Sequence, residues 1–176
     1  AGNPFQIATW EHLHKVREYP DAHFILNNAL DSDTIDYATY AAVTADGNKG
    51  WEPLGDETTP FTGSFNGNSA TISNMSINRT DINDVGLFGR TVGATITNLK
   101  LNDCAITGGE WNTGALVGKA LSSTTISTCT LSDITVNGGA TVGGITGYSN
   151  ASEISSSTFE GTVTASFSSA GGIAGK

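Results

Sequence analysis

A four-residue phrase returns along this chain on a nearly fixed period. It reads Gly-Leu-Phe-Gly at 86–89, Ala-Leu-Val-Gly at 115–118, Gly-Ile-Thr-Gly at 144–147 and Gly-Ile-Ala-Gly at 172–175. The closing glycines, Gly89, Gly118, Gly147 and Gly175, are 29, 29 and 28 residues apart. Self-similarity at such a period predicts a stack of repeated units, not a compact domain built around one cleft.

The residues between the phrases alternate. Coils can be written from Thr71-Ile72-Ser73, Thr95-Ile96-Thr97, Thr125-Ile126-Ser127 and Glu153-Ile154-Ser155. Apolar residues fall one, four and six places after each leading residue, with Ser157 the exception. A second alternation follows in the later coils: Cys104/Ile106, Ile134/Val136 and Val163/Ala165. The glycine phrase supplies a third strand, its glycines expected to allow tight corners and positive φ. Period-2 patterning buries every second side chain. Three short strands per ~29 residues predict an all-β fold, a parallel β-helix (solenoid) of about four coils. The Thr, Ser and Gly content excludes a helical solenoid.

Residues 1–67 differ in texture from residues 68–176. They hold all three histidines, all four prolines and two of the three tryptophans. Thr9 can cap a helix over Trp10 to Glu18, where Trp10, Leu13 and Val16 recur at helical spacing, and Pro20 stops it. This region reads as an N-terminal cap and lead-in containing a short α-helix. It would shield a strand edge that otherwise invites pairing with another chain. No comparable cap precedes Lys176, so the repeats are expected to be truncated there.

Composition narrows the function. The net charge of −9 argues against nucleic acid or an anionic membrane surface, both of which call for a basic stripe. No run of about 18 apolar residues offers a membrane span. Cys104 and Cys129 fall at inward positions of different strands, where two buried thiols are favoured over a disulfide. His12 and His14 lie on different faces of the predicted helix and His23 stands alone, so no shared metal follows.

The candidate site residues are few. Asp31, Asp33 and Asp36 resemble the start of a calcium loop but lack its glycine and distal Glu. Asp81 and Asp84, with Asp103 further on, form a second acidic group. Calcium is the one cofactor these residues allow, and a turn-forming acidic loop is the favoured reading of Asp31, Asp33 and Asp36. Trp111, in the turn before the second phrase, is placed to stack on a sugar ring or to pack in the turn. An outward ladder of Thr71, Thr95 and Thr125 could form a flat hydroxylated, ice-binding face. Carboxylates such as Asp103 and Glu110 are too thinly spread to favour a polysaccharide-cleaving pair. No HExxH metalloprotease motif occurs.

The repeated phrase resembles the GLUG motif. Asn3-Pro4-Phe5-Gln6-Ile7-Ala8-Thr9 with Leu13 is similar to the N-terminal cap of such domains. Trp51-x-Pro53-Leu54-Gly55 and Phe61-x-Gly63-x-Phe65-x-Gly67-Asn68 resemble the segment leading into their first coil. Glu153 in place of Thr, and residues 27–50, depart from the pattern. The resemblance implies a secreted or surface-exposed bacterial protein, in which such repeats serve adhesins or stand beside IgA-cleaving metalloproteases. It carries over no catalytic residue. The expectation is a non-catalytic extracellular adhesin module presenting a surface to a glycan or a host or cell-surface protein. A protease spacer is the alternative, with a polysaccharide-active enzyme or ice-binding surface third.

Overall fold

The computed structural model describes residues 2–176. It is a parallel β-solenoid: every strand pairs in parallel with its counterpart one coil away. Each full coil has four faces where the alternation predicted three. In the second coil these are Thr95–Thr97, Lys100–Gly108, Asn112–Gly114 and Val117–Leu121. The predicted leading strand breaks at Asn98, which takes φ 55°, and its second half runs on with the second alternation as one strand. The extra face is Asn112–Gly114, and the glycine phrase, expected as a strand, turns at Ala115-Leu116 into Val117–Leu121. Thr128 (φ 57°) and Ser156 (φ 47°) turn the next two coils at the same place.

The inward columns follow the sequence alignment. Phe65, Ile96, Ile126 and Ile154 stack on the first face. Leu101, Leu131 and Phe159 stack on the second, as do Ile106, Val136 and Val163. Phe88 and Val117 continue the core on the fourth. A single buried cluster holds the earlier coils' residues together, with Ile154, Phe159 and Val163 half-buried against it.

The first coil differs from its sequence alignment. Its leading strand is Ser64–Asn66, and Phe65 lies on Ile96. Thr71–Ser73 belongs to the second face, with Ile72 on Leu101. The turn at 67–70 lengthens this corner by two residues relative to later coils. The expected column of Thr71, Thr95 and Thr125 therefore does not form. Thr95 and Thr125 are flanked by Ser64 and Glu153 instead.

The N-terminal region is a helix laid over a degenerate coil. Thr9 Oγ1 accepts from the His12 backbone N–H at 3.1 Å and starts the helix Trp10–His14, which tightens into a 3₁₀ turn over Lys15–Glu18. Strands Phe5–Ile7 and His23–Leu26 extend the first face beyond Ser64–Asn66. Leu30 makes a single parallel bridge to Ile72 on the second face, and Leu54 and Phe61 make single parallel bridges to Phe88 and Thr91 on the fourth. Residues 27–50, unreadable in sequence, contain two one-turn helices, Tyr37–Tyr40 and Ala45–Asn48. Trp10 and Trp51 are fully buried with ring centres 6.0 Å apart.

The repeated glycines do not supply positive φ. None of the four closing glycines has it; the left-handed corners fall mostly to Asn, Asp and Ser. The closing glycines are required by close approach. A Cβ on Gly118 would sit 2.4 Å from Val85 N, one on Gly147 2.4 Å from Thr113 N, and one on Gly175 2.6 Å from Val142 N. The third and fourth faces thus pack backbone on backbone. In the first coil, Gly89 meets the Gly55 carbonyl instead, at 2.4 Å from its hypothetical Cβ, so the lead-in segment stands in for a preceding coil.

One polar group in this seam has no partner. Thr113 is fully buried between Val85 and Val142, and its hydroxyl makes no hydrogen bond. Thr113→Val keeps the shape and removes the orphaned oxygen, so it should raise unfolding free energy by about 1 kcal/mol. A urea titration checks this; a lower midpoint at unchanged slope would mean the hydroxyl is satisfied.

Both cysteines are free and buried. Burial pushes the Cys104 thiol up to about 12 and raises Cys129 as well. Neither should react with a thiol reagent at neutral pH in the native protein, and both should react once it is denatured. Labelling of the folded chain followed by mass measurement would expose an error here.

Candidate functional site

The corner between the second and third faces carries the most exposed large apolar side chains of the later coils. It consists of Gly109-Glu110-Trp111 in the second coil, Gly139-Ala140 in the third and Ser166-Phe167-Ser168 in the fourth. Backbone bonds hold these turns in register: Ala140 N to Glu110 O at 2.8 Å, Thr141 N to Trp111 O at 3.0 Å and Phe167 N to Gly139 O at 3.0 Å. The turns stack too closely for side chains at the glycines. A Cβ on Gly109 would lie 2.4 Å from the Ile82 carbonyl, and one on Gly139 2.3 Å from that of Glu110.

This stacking leaves a shallow groove of about 530 Å³ floored by Gly108, Gly109, Gly138 and Gly139. Phe167, 74% exposed, forms one wall, and Thr80 lies at the other end. Thr107, Asn137, Ser166 and Glu110 offer hydroxyl, amide and carboxylate groups along it. A flat floor, an aromatic wall and alternating donors and acceptors suit a sugar ring or an extended polar chain.

Trp111 is half exposed on the same corner, but its side chain does not line the groove. Its carbonyl accepts from the Thr141 backbone and hydroxyl. Phe167 and the glycine floor escaped the sequence reading. The doublets Gly108-Gly109 and Gly138-Gly139, one coil apart, were the available signal.

The acidic candidates occupy separate places. Asp31 Oδ1 accepts from the Asp33 and Thr34 backbone and from the Thr34 hydroxyl, which chiefly holds its carboxyl below the usual range. Asp36 precedes the Tyr37–Tyr40 turn with φ 69°, and Asp33 is an exposed turn residue. Asp81 takes the Lys49 ammonium at 2.7 Å, which lowers its carboxyl. Asp84 is largely buried between Arg90 Nε at 2.6 Å and Asn112 Nδ2 at 2.7 Å. Asp103 accepts from Asn74 on the second face. Among the described residues, no three His, Cys, Asp or Glu side chains gather as a metal site would need. His14 packs against the Tyr40 ring, centres 4.6 Å apart, and His23 Nδ1 meets Ser64 Oγ at 2.8 Å on the surface.

No family model matches the chain. Two curated proteins share sequence with it. Halomucin of Haloquadratum walsbyi is 34% identical over 148 residues, covering 73% of this chain and 2% of that protein. A protein of Evansella cellulosilytica, provisionally named a Gly-rich membrane protein, is 38% identical over 120 residues, covering 66% of this chain and 13% of its own length. The chain thus spans a small fraction of these relatives. Among solved structures, a Bacteroides ovatus protein provisionally assigned as an immunoglobulin A1 protease matches with a TM-score of 0.57. That match covers 98% of this chain and 61% of the other, at 19% identity, and supports the parallel β-solenoid fold alone. No helix among the described residues is long and apolar enough to cross a membrane.

Proposed function

We propose that this chain is a non-catalytic extracellular module of the GLUG type, which presents the glycine-floored corner to a glycan or a cell-surface protein. The observation that carries the reading is Phe167, held 74% exposed against a groove whose floor is bare backbone. Burying so large a ring in a monomer's core is the ordinary outcome, and an exposed aromatic beside aligned polar groups supports reading this corner as a recognition surface. The names of the relatives, a halomucin and a Gly-rich membrane protein, support a place at the cell surface. The stack itself supports stiffness, since backbone ladders run through every coil.

A glycan and cell-surface-protein array tests it, run with the wild type, Phe167→Ala and Trp111→Ala, each with calcium and with a chelator. A saturable hit that weakens at least tenfold in Phe167→Ala is expected, a loss of about 1.4 kcal/mol. Trp111→Ala should weaken it less, since that side chain lies beside the groove. Binding unaffected by Phe167→Ala would move the site elsewhere. A blank array would leave the chain as a spacer in a larger surface protein. Loss on chelation would return attention to the Asp groups.

A further inference from the structure

A second cleft, about 630 Å³, opens between the lead-in segment at 52–61 and the turn at 81–84. Three guanidinium groups border it: Arg17, Arg79 and Arg90. Each is locked from behind. Arg79, 6% exposed, donates from Nε to the Trp51 carbonyl at 2.9 Å and from Nη2 to Gly50 O at 3.2 Å and Asp46 Oδ2 at 2.6 Å. Arg90 donates from Nε to Asp84 Oδ2 at 2.6 Å. Arg17 donates from Nε to His14 O at 2.8 Å and from Nη2 to Glu52 O at 2.9 Å, pairs through Nη1 with the Glu52 carboxylate, and lies over the Trp51 ring, 5.8 Å from its centre.

Arg17 is fully engaged by Glu52, while the outer N–H groups of Arg79 and Arg90 are open or weakly held. Among the described residues, Arg79 Nη1 and Arg90 Nη2 make no hydrogen bond to the protein. Arg90 Nη1 faces only Glu57 Oε1, at 3.3 Å, and the Glu57 side chain is 82% exposed. A long side chain so exposed is a weak and displaceable partner. The Arg79 and Arg90 guanidinium planes are therefore fixed while their outer N–H groups await an acceptor, the arrangement that suits a carboxylate.

The rest of the cleft limits which carboxylate fits. Glu52, Asp56, Asp81 and Asp84 also border it, Glu52 and Asp81 paired with Arg17 and Lys49, and together they would repel a simple anion. They welcome a ligand that brings hydroxyl donors together with its one carboxylate. Pro53 and Ile82 offer apolar surface to a ring face. We infer that this cleft binds a uronic acid residue of an acidic glycan, its carboxylate taking the place of Glu57 on Arg90 and its hydroxyls donating to the rim carboxylates. The site is separate from the Phe167 corner, so either can fail without the other.

Amide chemical-shift titration of the intact chain with glucuronate tests this, with glucose and glutamate in parallel. Glucuronate should shift the amides of 54–57 and Arg90 saturably, with a Kd on the order of 1 mM. Glucose and glutamate should bind at least about tenfold more weakly, lacking the carboxylate or the hydroxyls. Glu57→Gln, a fully surface change, should tighten glucuronate binding about twofold to fivefold by removing the competitor. Arg90→Gln should weaken it about tenfold or more, and Phe167→Ala should leave it unchanged. Absence of glucuronate shifts in both wild type and Glu57→Gln overturns the proposal. Equal binding of glucose overturns the role of the arginines, and equal binding of glutamate overturns the sugar assignment.

Discussion

Gly118→Ala should be among the most damaging single changes this chain can suffer. Where space and φ permit, Gly→Ala stabilises by roughly 0.4–1 kcal/mol through the unfolded chain. At Gly118 φ permits it and space does not. The new Cβ would lie 2.4 Å from Val85 N, 2.6 Å from Asp84 C and 2.8 Å from Gly89 O. All three atoms are backbone, tied into ladders on two faces, so no side chain can swing aside. The cost should reach about 3 kcal/mol or more, the upper end of overpacking. Gly172→Ala is the internal control. It belongs to the fourth copy of the same phrase, yet nothing lies within 4 Å of its Cβ position. Denaturation of the two variants should show a collapse in stability for Gly118→Ala and a change within about 0.5 kcal/mol for Gly172→Ala. Similar effects would mean that the repeated glycines serve chain flexibility and not seam packing.

Trp10→Ala should destabilise the chain by about 3–5 kcal/mol, the range for a fully buried large aromatic. Trp10 is completely buried, packs near Tyr37 and Trp51 at 6.0 Å in each case, and donates from Nε1 to the Asp31 carbonyl at 3.0 Å. Its loss uncovers the first rungs and leaves the Asp31 carbonyl without this donor. Exposed parallel edges pair with other chains, so the variant should also self-associate as concentration rises. Light scattering alongside thermal melting would separate the two effects. A monomeric variant with an unchanged melting temperature would remove the helix from the capping role.

The period and the inward columns were legible because side-chain alternation is local. Ile96, Ile126 and Ile154 announce themselves by spacing, and so does Cys104 over Ile134. The number of faces was not legible. A corner made by one left-handed residue, such as Asn98 or Thr128, leaves the alternation on either side intact, and the added strands Asn112–Gly114 and Thr141–Gly143 are too short to alternate visibly. The first coil misled for a related reason. Ser64-Phe65-Asn66 and Thr71-Ile72-Ser73 share one pattern, and only the length of the turn between them decides which sits on which face. The degenerate coil at 23–61 was hidden because its rungs on the second and fourth faces are single bridges, too short for any period. Phe167 and the arginine cleft depend on what neighbouring coils leave uncovered, which no local pattern records.

A cross-coil disulfide reads the register of the coils directly. Thr97 pairs with Ser127, and Ser127 with Ser155, on adjacent strands of the first face. Neighbouring strands lie about 4.8 Å apart and next-but-one strands roughly twice that, while a disulfide spans Cα separations of about 4.4–6.8 Å. With the two native thiols buried, Thr97→Cys combined with Ser127→Cys should oxidise almost completely in the folded chain. Thr97→Cys combined with Ser155→Cys should stay reduced under the same conditions. Efficient bonding in the second pair, or its absence in the first, would contradict the stacking described here.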